Sequence, residues 1–406
     1  MMERRLSGGY HFLSFLIIAP VFLFLAVVSG YAGEVRGVTD NTIKLGVVGD
    51  LTGPVADIWV PCAEGIKTYF RYINDQGGIH GRKIEHILED DRLSIPLALA
   101  AFKKLVFRDK VLTLMAASGA GHTHAIIPLC EKDNIPLMAV TNNKDFFQPV
   151  RRYVFTPLPF YSDQVKLIFD YLLSDMKIKS QSLRIASAYP DIAAGKDTRD
   201  SVREEAKASG IKLLTEVVIP VGAGDCSSQI LNLKRVSPDY VIIHGYIGNM
   251  ASFLRDAKKL GFPSISFTVQ YGCVDPTVRL AGDAARNMMG VNAFGLWHED
   301  SPGMNKLRKV TLTYHPGSGS RDTNYVQGWF AAMLIVEALK NAGRDLNGET
   351  LVGGYEKIRG FDTQGICGIV DYGPNDHKPI DYHRIYKADV KTKQIVPVTG
   401  WRKPVE

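Results

Sequence analysis

Ile43-Lys44-Leu45-Gly46-Val47-Val48-Gly49-Asp50-Leu51-Thr52-Gly53-Pro54 is the stretch whose reading decides the architecture. Ile43–Val48 is a short apolar run with β character, and Gly49–Pro54 is a string of turn formers. A helical pattern follows from about Pro61 to Asp75. Pro61 suits the first turn of that helix and Gly77-Gly78 its end. A second strand is expected around Lys83–Glu89, then a helix near Pro96–Arg108 and a strand at Val111–Ala116. A helix near Thr123–Asp133 leads to strand Ile135–Val140. This βαβα rhythm predicts a parallel sheet covered by helices on both faces.

The rhythm restarts after Tyr153–Pro157. Helices are expected at Asp163–Met176, Lys196–Ser209, Ser227–Val236 and Asn249–Leu260. Strands between them fall at Leu183–Ser187, Leu213–Ile219, Tyr240–His244 and Ile265–Val269. A strongly apolar helix, Tyr325–Asn341, precedes a β-rich tail from about Ile366 to Val398. With 406 residues the chain is too long for one ordinary core and suits two α/β lobes with parallel sheets. Ligands of open parallel sheets sit beyond the C-terminal strand ends, where helix N-termini present free N–H groups. The loops to watch are therefore Gly49–Trp59, Ser118–Thr123, Thr141–Asp145, Tyr189–Gly195, Gly245–Asn249 and Gln270–Asp275. Their Gly, Ser, Thr, Asn and aromatic content suits hydrogen bonding to a small solute.

Composition excludes several classes. Hydrophobic residues make up 46% and charged residues 22%, as in soluble globular proteins. The net charge of +6 is scattered, with no basic run longer than pairs such as Lys103–Lys104, so a nucleic-acid partner is not expected. The N-terminus carries Arg4 and Arg5, an uncharged apolar run from Phe12 to Val28, and the small-residue stretch Ser29-Gly30-Tyr31-Ala32-Gly33. That is the pattern of a signal peptide cleaved near Ala32-Gly33, with an uncleaved anchor as the alternative. Five widely spaced cysteines form no CxxC pair or Cys/His cluster, so neither a zinc site nor a disulfide pattern can be read from them.

The loops also resemble a known family, the type I periplasmic solute-binding proteins of branched-chain amino-acid ABC transporters. Ile43–Pro54 resembles that family's first strand and loop. Tyr72–Ile84, with Ile73-Asn74 and Gly77-Gly78-Ile79-His80-Gly81-Arg82-Lys83-Ile84, resembles its INxxGGIxGRKI stretch, and Glu89-Asp90-Asp91 its acidic strand end. Ser118-Gly119-Ala120 with Ile135-Pro136-Leu137 fits the next unit, and Asp371–Pro379 the C-terminal strand and turn. The resemblance implies two Rossmann-like lobes joined by three crossings near Pro157–Phe160, Gly290–Phe294 and Gly365–Val370. Residues 1–33 would be the signal peptide, 41–157 plus 294–365 the first lobe, and 158–293 plus 366–406 the second.

It further implies a monomeric, exported periplasmic receptor that closes around a small polar metabolite by hinge motion and delivers it to the membrane permease of an ABC importer. No cofactor, metal or catalytic residue is implied. In the first lobe, Ser118, Gly119, Ala120, His122, Thr123, Thr141, Asn142 and Asn143 would hold the ligand's polar head, with Trp59 against its side chain. The second lobe would supply Tyr189, Tyr246, Gln270 and Tyr271, and Tyr161 near a crossing would line the cleft or pack the hinge. Amino-acid-binding members usually carry an acid in the loop matching Gln270–Cys273 to pair the ligand ammonium. Here Asp275, a few residues on, takes that role or no carboxylate faces the ligand. The aromatic loops and His122 leave room for aromatic acids or amides.

Two other functions fit the same fold: a sensor reporting to a signalling membrane partner, and an exported α/β enzyme. Against the enzyme, no GxGxxG, GxxxxGK[ST] or GxSxG motif occurs. His122 and His124, two apart on a helix, do not share a face and lack a third ligand.

Overall fold

The computed structural model describes residues 35–116 and 118–405; the expected signal peptide and its cleavage point lie outside them. The first unit runs β1 (Thr42–Gly49), α1 (Ala56–Asp75), β2 (Lys83–Asp90), α2 (Ile95–Lys103), β3 (Thr113–Ala116), α3 (Ala120–Asp133), β4 (Leu137–Ala139) and β5 (Val154–Phe155). The second runs α4 (Tyr161–Asp170), β6 (Ile185–Tyr189), α5 (Ala193–Ala208), β7 (Leu213–Val218), α6 (Ser227–Val236), β8 (Tyr240–Ile243), α7 (Ile247–Lys259) and β9 (Ile265–Thr268). Then come α8 (Asp275–Ala281), β10 (Met288–Asn292), α9 (Pro302–Tyr314), α10 (Thr323–Ala342), α11 (Gly348–Glu356), β11 (Arg384–Asp389) and β12 (Gln394–Pro397).

Two sheets result. The five-stranded sheet has order β2-β1-β3-β4-β5 and is parallel throughout. The seven-stranded sheet has order β12-β11-β10-β9-β8-β6-β7. It is parallel from β10 to β7, while β11 and β12 join as an antiparallel hairpin on one edge. The hairpin is the expected β-rich tail; its turn allows antiparallel return, whereas the βα units before it force parallel pairing.

Each sheet is buried on both faces. One face of the five-stranded sheet packs Leu114 and Leu137 against Phe102, Leu105, Ile126 and Ile127 of the α2–α3 side. The opposite face sets Leu45, Val47 and Met115 against Ile66 and Phe70 of α1 and the residues of α10. On the seven-stranded sheet, Val241 and Ile243 meet Ile230, Leu233, Phe253 and Leu254 of α6 and α7. Helix α10 is apolar on nearly every side because it is enclosed on nearly every side. It lies so close to α1 that a Cβ on Gly328 would come within 1.9 Å of the Cys62 carbonyl oxygen, and one on Gly65 within 2.2 Å of that of Tyr325. Two glycines facing across the crossing let the backbones touch.

Several helices start earlier than expected, α5 at Ala193 rather than Lys196 among them, and two of the shifts trace to identifiable hydrogen bonds. Helix α1 begins at Ala56, not near Pro61, which sits inside it. The buried Asp50 carboxylate accepts from Gly53 N (2.5 Å) and Val55 N (2.9 Å) and turns the loop early. Pro61 gives up one helical hydrogen bond there. Helix α3 begins at Ala120, because His122 N and Thr123 N both donate to Gly119 O (3.1 and 3.0 Å). His122 thus lies inside the first turn, and Thr123, the expected helix start, follows it. The sequence reading also missed α8, α9, α11 and β10. In α9 the buried apolar residues are only Met304, Leu307 and Val310, too sparse a stripe to stand out.

Candidate binding site

The C-terminal ends of strands from both sheets face one another across a small cavity. From the five-stranded side come Trp59, Cys62, Ser118, Gly119, Ala120, Thr141 and Asn142; from the other come Tyr161, Ala194, Tyr246 and Tyr271. Gln327 of α10 closes the floor, with Val55, Ile58 and Val140 as apolar walls. This inner chamber has a volume of about 30 Å³, room for about two waters. It opens into a vestibule of about 350 Å³ that shares Val55, Ser118, Gly119, Ala120, Ala194 and Tyr246 and adds Leu93, Ile95, Gly121, His122, Ile192, Ala193 and Val221.

The five-stranded side is held by a buried network. Fully buried Asp91, at the end of β2, accepts from the Ser118 hydroxyl, from Ser118 N (3.2 Å) and from Leu93 N (3.0 Å). Ser118 therefore turns its oxygen lone pairs outward. Thr141 Oγ1 donates to Asn143 Oδ1 (3.0 Å), and Asn142 Nδ2 to Pro159 O (2.7 Å). Asn142 Oδ1 is buried with no protein partner. Trp59 lies flat on the backbone of Gly49, where a Cβ would meet Cε3 of the indole at 2.3 Å, and its Nε1 points to Ser118 O at 3.4 Å.

The opposite side is aromatic. Tyr246 and Tyr271 are nearly parallel, with centroids 6.0 Å apart, and His244 stands edge-on between Tyr161 (4.8 Å) and Tyr246 (5.2 Å). Burial pushes the Tyr161, Tyr246 and Tyr271 hydroxyls up, so they stay protonated as donors. Burial pushes His244 down to about 3, leaving it neutral and bonded to Thr198 Oγ1 through Nδ1 at 2.8 Å. The Cys62 thiol is pushed up to about 12, by burial first and Asp322 second, so it is not a nucleophile. All five cysteines are buried free thiols.

Two helices point their N-termini at the cavity mouth. Neither α3, with N-cap Gly119, nor α5, with N-cap Ile192, has a side chain capping it. Their dipoles, and the first-turn N–H groups that no side chain caps, favour negative charge there.

Of the residues singled out by sequence, Trp59, Ser118, Gly119, Ala120, Thr141, Asn142, Tyr161, Tyr246 and Tyr271 line the inner chamber. His122 lines the vestibule, buried, with neither ring nitrogen partnered. Thr123, Asn143, Tyr189 and Gln270 line neither space. Thr123 donates back to Gly119 O (3.2 Å), and Asn143 Nδ2 reaches across to Ala193 O (3.4 Å). Tyr189 lies under the Arg199 guanidinium (5.3 Å). Gln270 receives no ligand-facing role: its backbone N–H donates to Gln164 Oε1 (2.9 Å) and its Nε2 to Gln327 Oε1 (2.7 Å). Asp275 does not face the cavity either; it accepts from Ile395 N (2.8 Å), because its place at the start of α8 directs it to the edge hairpin. Sequence reading missed Cys62 and Gln327, while Ala194 falls in the Tyr189–Gly195 loop it had singled out. Gln327 sits inside what reads as a strongly apolar helix, and the crossing of α10 over α1 turns it inward.

Among the described residues there is no cluster of three or more His, Cys, Asp or Glu that could hold a metal, and no helix long and apolar enough to cross a membrane. Two sheets presenting their strand ends and helix N-termini to one cavity define a solute-binding architecture. The family model described as periplasmic binding protein matches residues 42–394, and the chain belongs to that family. A Leu/Ile/Val-binding protein homolog of Brucella abortus is 23% identical over 356 residues, 84% of this chain and 83% of the relative. Among solved structures, a Thermus thermophilus branched-chain amino acid ABC transporter protein with bound valine superposes with a TM-score of 0.82 at 23% identity, covering 90% of this chain and 97% of that one. A fatty acid ABC transporter substrate-binding protein from Thermomonospora curvata gives 0.79 at 21% identity, covering 91% and 95%. The fold is shared, and the relatives are binding proteins rather than enzymes.

Proposed function

We propose that the chain is an exported receptor that closes around one small polar metabolite, an amino acid or an aromatic acid or amide, and delivers it unchanged to the permease of an ABC importer. The observation that carries this is the single cavity into which both sheets send strand-end residues, Ser118 and Thr141 from one and Tyr246 and Tyr271 from the other. Residues 41–157 with 294–365 act as one lobe and 158–293 with 366–406 as the second, after removal of residues 1–33. The tail supports a hinge role. Tyr372 donates its hydroxyl to Thr156 O (2.5 Å), and Lys378 bridges Asp163 (2.8 Å) and Asp381 (2.7 Å), so the segment ties the end of β5 to the start of α4. Closure on ligand would be a hinge motion of the two sides about that segment.

The receptor acts as a monomer, and its substrate leaves chemically intact, a reading that the binding-protein names of its relatives support. The test is to refold the chain from Glu34 after denaturation and screen metabolites by thermal shift. Ligand at about a hundred times its dissociation constant stabilises the fold by about 2.7 kcal/mol. Mass spectrometry of the recovered ligand then checks the non-enzymatic reading, and crosslinking identifies the membrane partner. A chemically altered ligand would defeat the receptor assignment, and a crosslink to a signalling protein would defeat the transport assignment.

A further inference from the structure

We infer that Asp197 is a proton-operated latch between the two sides of the cleft: closure buries its carboxyl, with a proton on it, against the loop after β4, and opening returns that proton to water. Acid therefore favours the closed form, and ligand is held more tightly as pH falls. This goes beyond the receptor reading but rests on its opening and closing.

The latch lies where the two sides meet beside the cavity. Asp197 sits on α5, on the seven-stranded side, and borders neither the inner chamber nor the vestibule. Opposite it stands the loop after β4, on the five-stranded side. Asn143 Nδ2 of that loop donates across the seam to Ala193 O (3.4 Å), one helical turn before Asp197. The next two residues face Asp197 itself: the Lys144 backbone N–H as a donor and the Asp145 carboxylate as a like charge. Asp197 Oδ2 is nonetheless buried with no partner. An ionised carboxylate is costly in that state, and a neutral carboxylic acid is much less so.

The surrounding groups do not neutralise it. Asp200 and Glu204 bear on Asp197 from its own helix, Asp145 from the loop, and the protonated Tyr161 phenol from α4. His244, bonded to the adjacent Thr198, is neutral. The bases of α5 are taken. Lys196 Nζ pairs with Asp191 (2.8 Å), Arg199 with both oxygens of Asp200 (2.8 Å each), and Arg203 with Glu216 (2.6 Å) and Asp200 (3.1 Å). Lys144 is exposed. Burial first, then Asp145, Asp200 and Glu204, push Asp197 up to about 7. Parting the sides uncovers Asp197 and takes Asp145 away, so the open form gives up its proton nearer the ordinary value of 3.8. The advantage of the closed form is thus complete below the open form's value and lost as pH rises through about 7.

The chain refolded from Glu34 is titrated calorimetrically with leucine, phenylalanine and phenylacetate at pH 5.5 and pH 8.0, each in two buffers of different ionisation heat. None of these probes changes charge appreciably in that range, so proton uptake belongs to the protein. At least one probe should bind about ten-fold or more tighter at pH 5.5, with uptake of part of a proton between the two values. Asp197→Asn, neutral at every pH, should bind at pH 8.0 as tightly as the wild type does at pH 5.5 and take up no proton. Asp145→Asn, at an exposed position across the seam, should keep the pH dependence but move its midpoint to lower pH. A wild-type affinity that ignores pH, or the same pH dependence in Asp197→Asn, would overturn the latch and leave the receptor standing. If no probe binds, the proposed ligand classes fail, and small-angle scattering of the ligand-free chain decides the latch alone. A radius of gyration smaller at pH 5.5 than at pH 8.0 supports it, and an unchanged one overturns it.

Discussion

The two walls of the cavity are built on opposite principles. On the five-stranded side the polar atoms are backbone and small side chains locked in a buried network around Asp91, Thr141 and Asn143. On the seven-stranded side they are phenol hydroxyls on large, stacked rings. The first wall fixes where a polar head goes, because its hydrogen-bond geometry is set before ligand arrives. The second adapts in shape and supplies apolar area, because an aromatic ring offers a broad face with one polar tip. Disturbing the first wall should therefore cost folding as well as binding, and disturbing the second should cost binding alone.

The largest effect is expected where the first wall meets its scaffold. Gly328→Val drives a side chain into the Cys62 carbonyl and separates α10 from α1, and it should cost about 3 kcal/mol or more in urea unfolding. Next, Asp91→Ala removes the acceptor for three donors; a loss of about 2–3 kcal/mol of stability is expected, with weaker binding of whatever ligand the thermal-shift screen identifies. Unchanged stability in that variant would show that the first wall is not preset.

A pH effect separates the walls at their seam. Asp197 is pushed up to about 7 by burial first, then by Asp145, Asp200 and Glu204, against a bond from Lys144 N. Its folded form holds a proton that the unfolded chain gives up near its ordinary value of 3.8. This contribution is thus complete below that value and lost as pH rises through about 7. Between pH 5 and pH 8 the wild type should lose roughly 2–3 kcal/mol relative to Asp197→Asn, read from melting temperatures. The smallest effect is on the second wall. Tyr246→Phe and Tyr271→Phe should each weaken binding by about 0.5–1.5 kcal/mol in calorimetry, while stability stays within about 0.5 kcal/mol. A stability loss as large as that of Asp91→Ala would erase the distinction between the walls.

The sequence alone determined the βα order, the two-sheet plan and most of the chamber lining. Alternating apolar runs and helical stripes are local signals, and the residues after each strand of a parallel sheet must gather at one edge. Trp59, Ser118, Thr141, Tyr246 and Tyr271 were legible for that reason. Tertiary structure alone decided what the side chains do there. The Asp50 and Gly119 hydrogen bonds set where α1 and α3 begin, placing His122 inside the first turn of α3. Packing turned Gln327 into the chamber, drew Gln270 into a bond with it, and sent Asp275 to the edge hairpin. The charge of the cavity depends on where each carboxylate finds its donors. Those donors lie up to 120 residues away along the chain, beyond the reach of any local pattern.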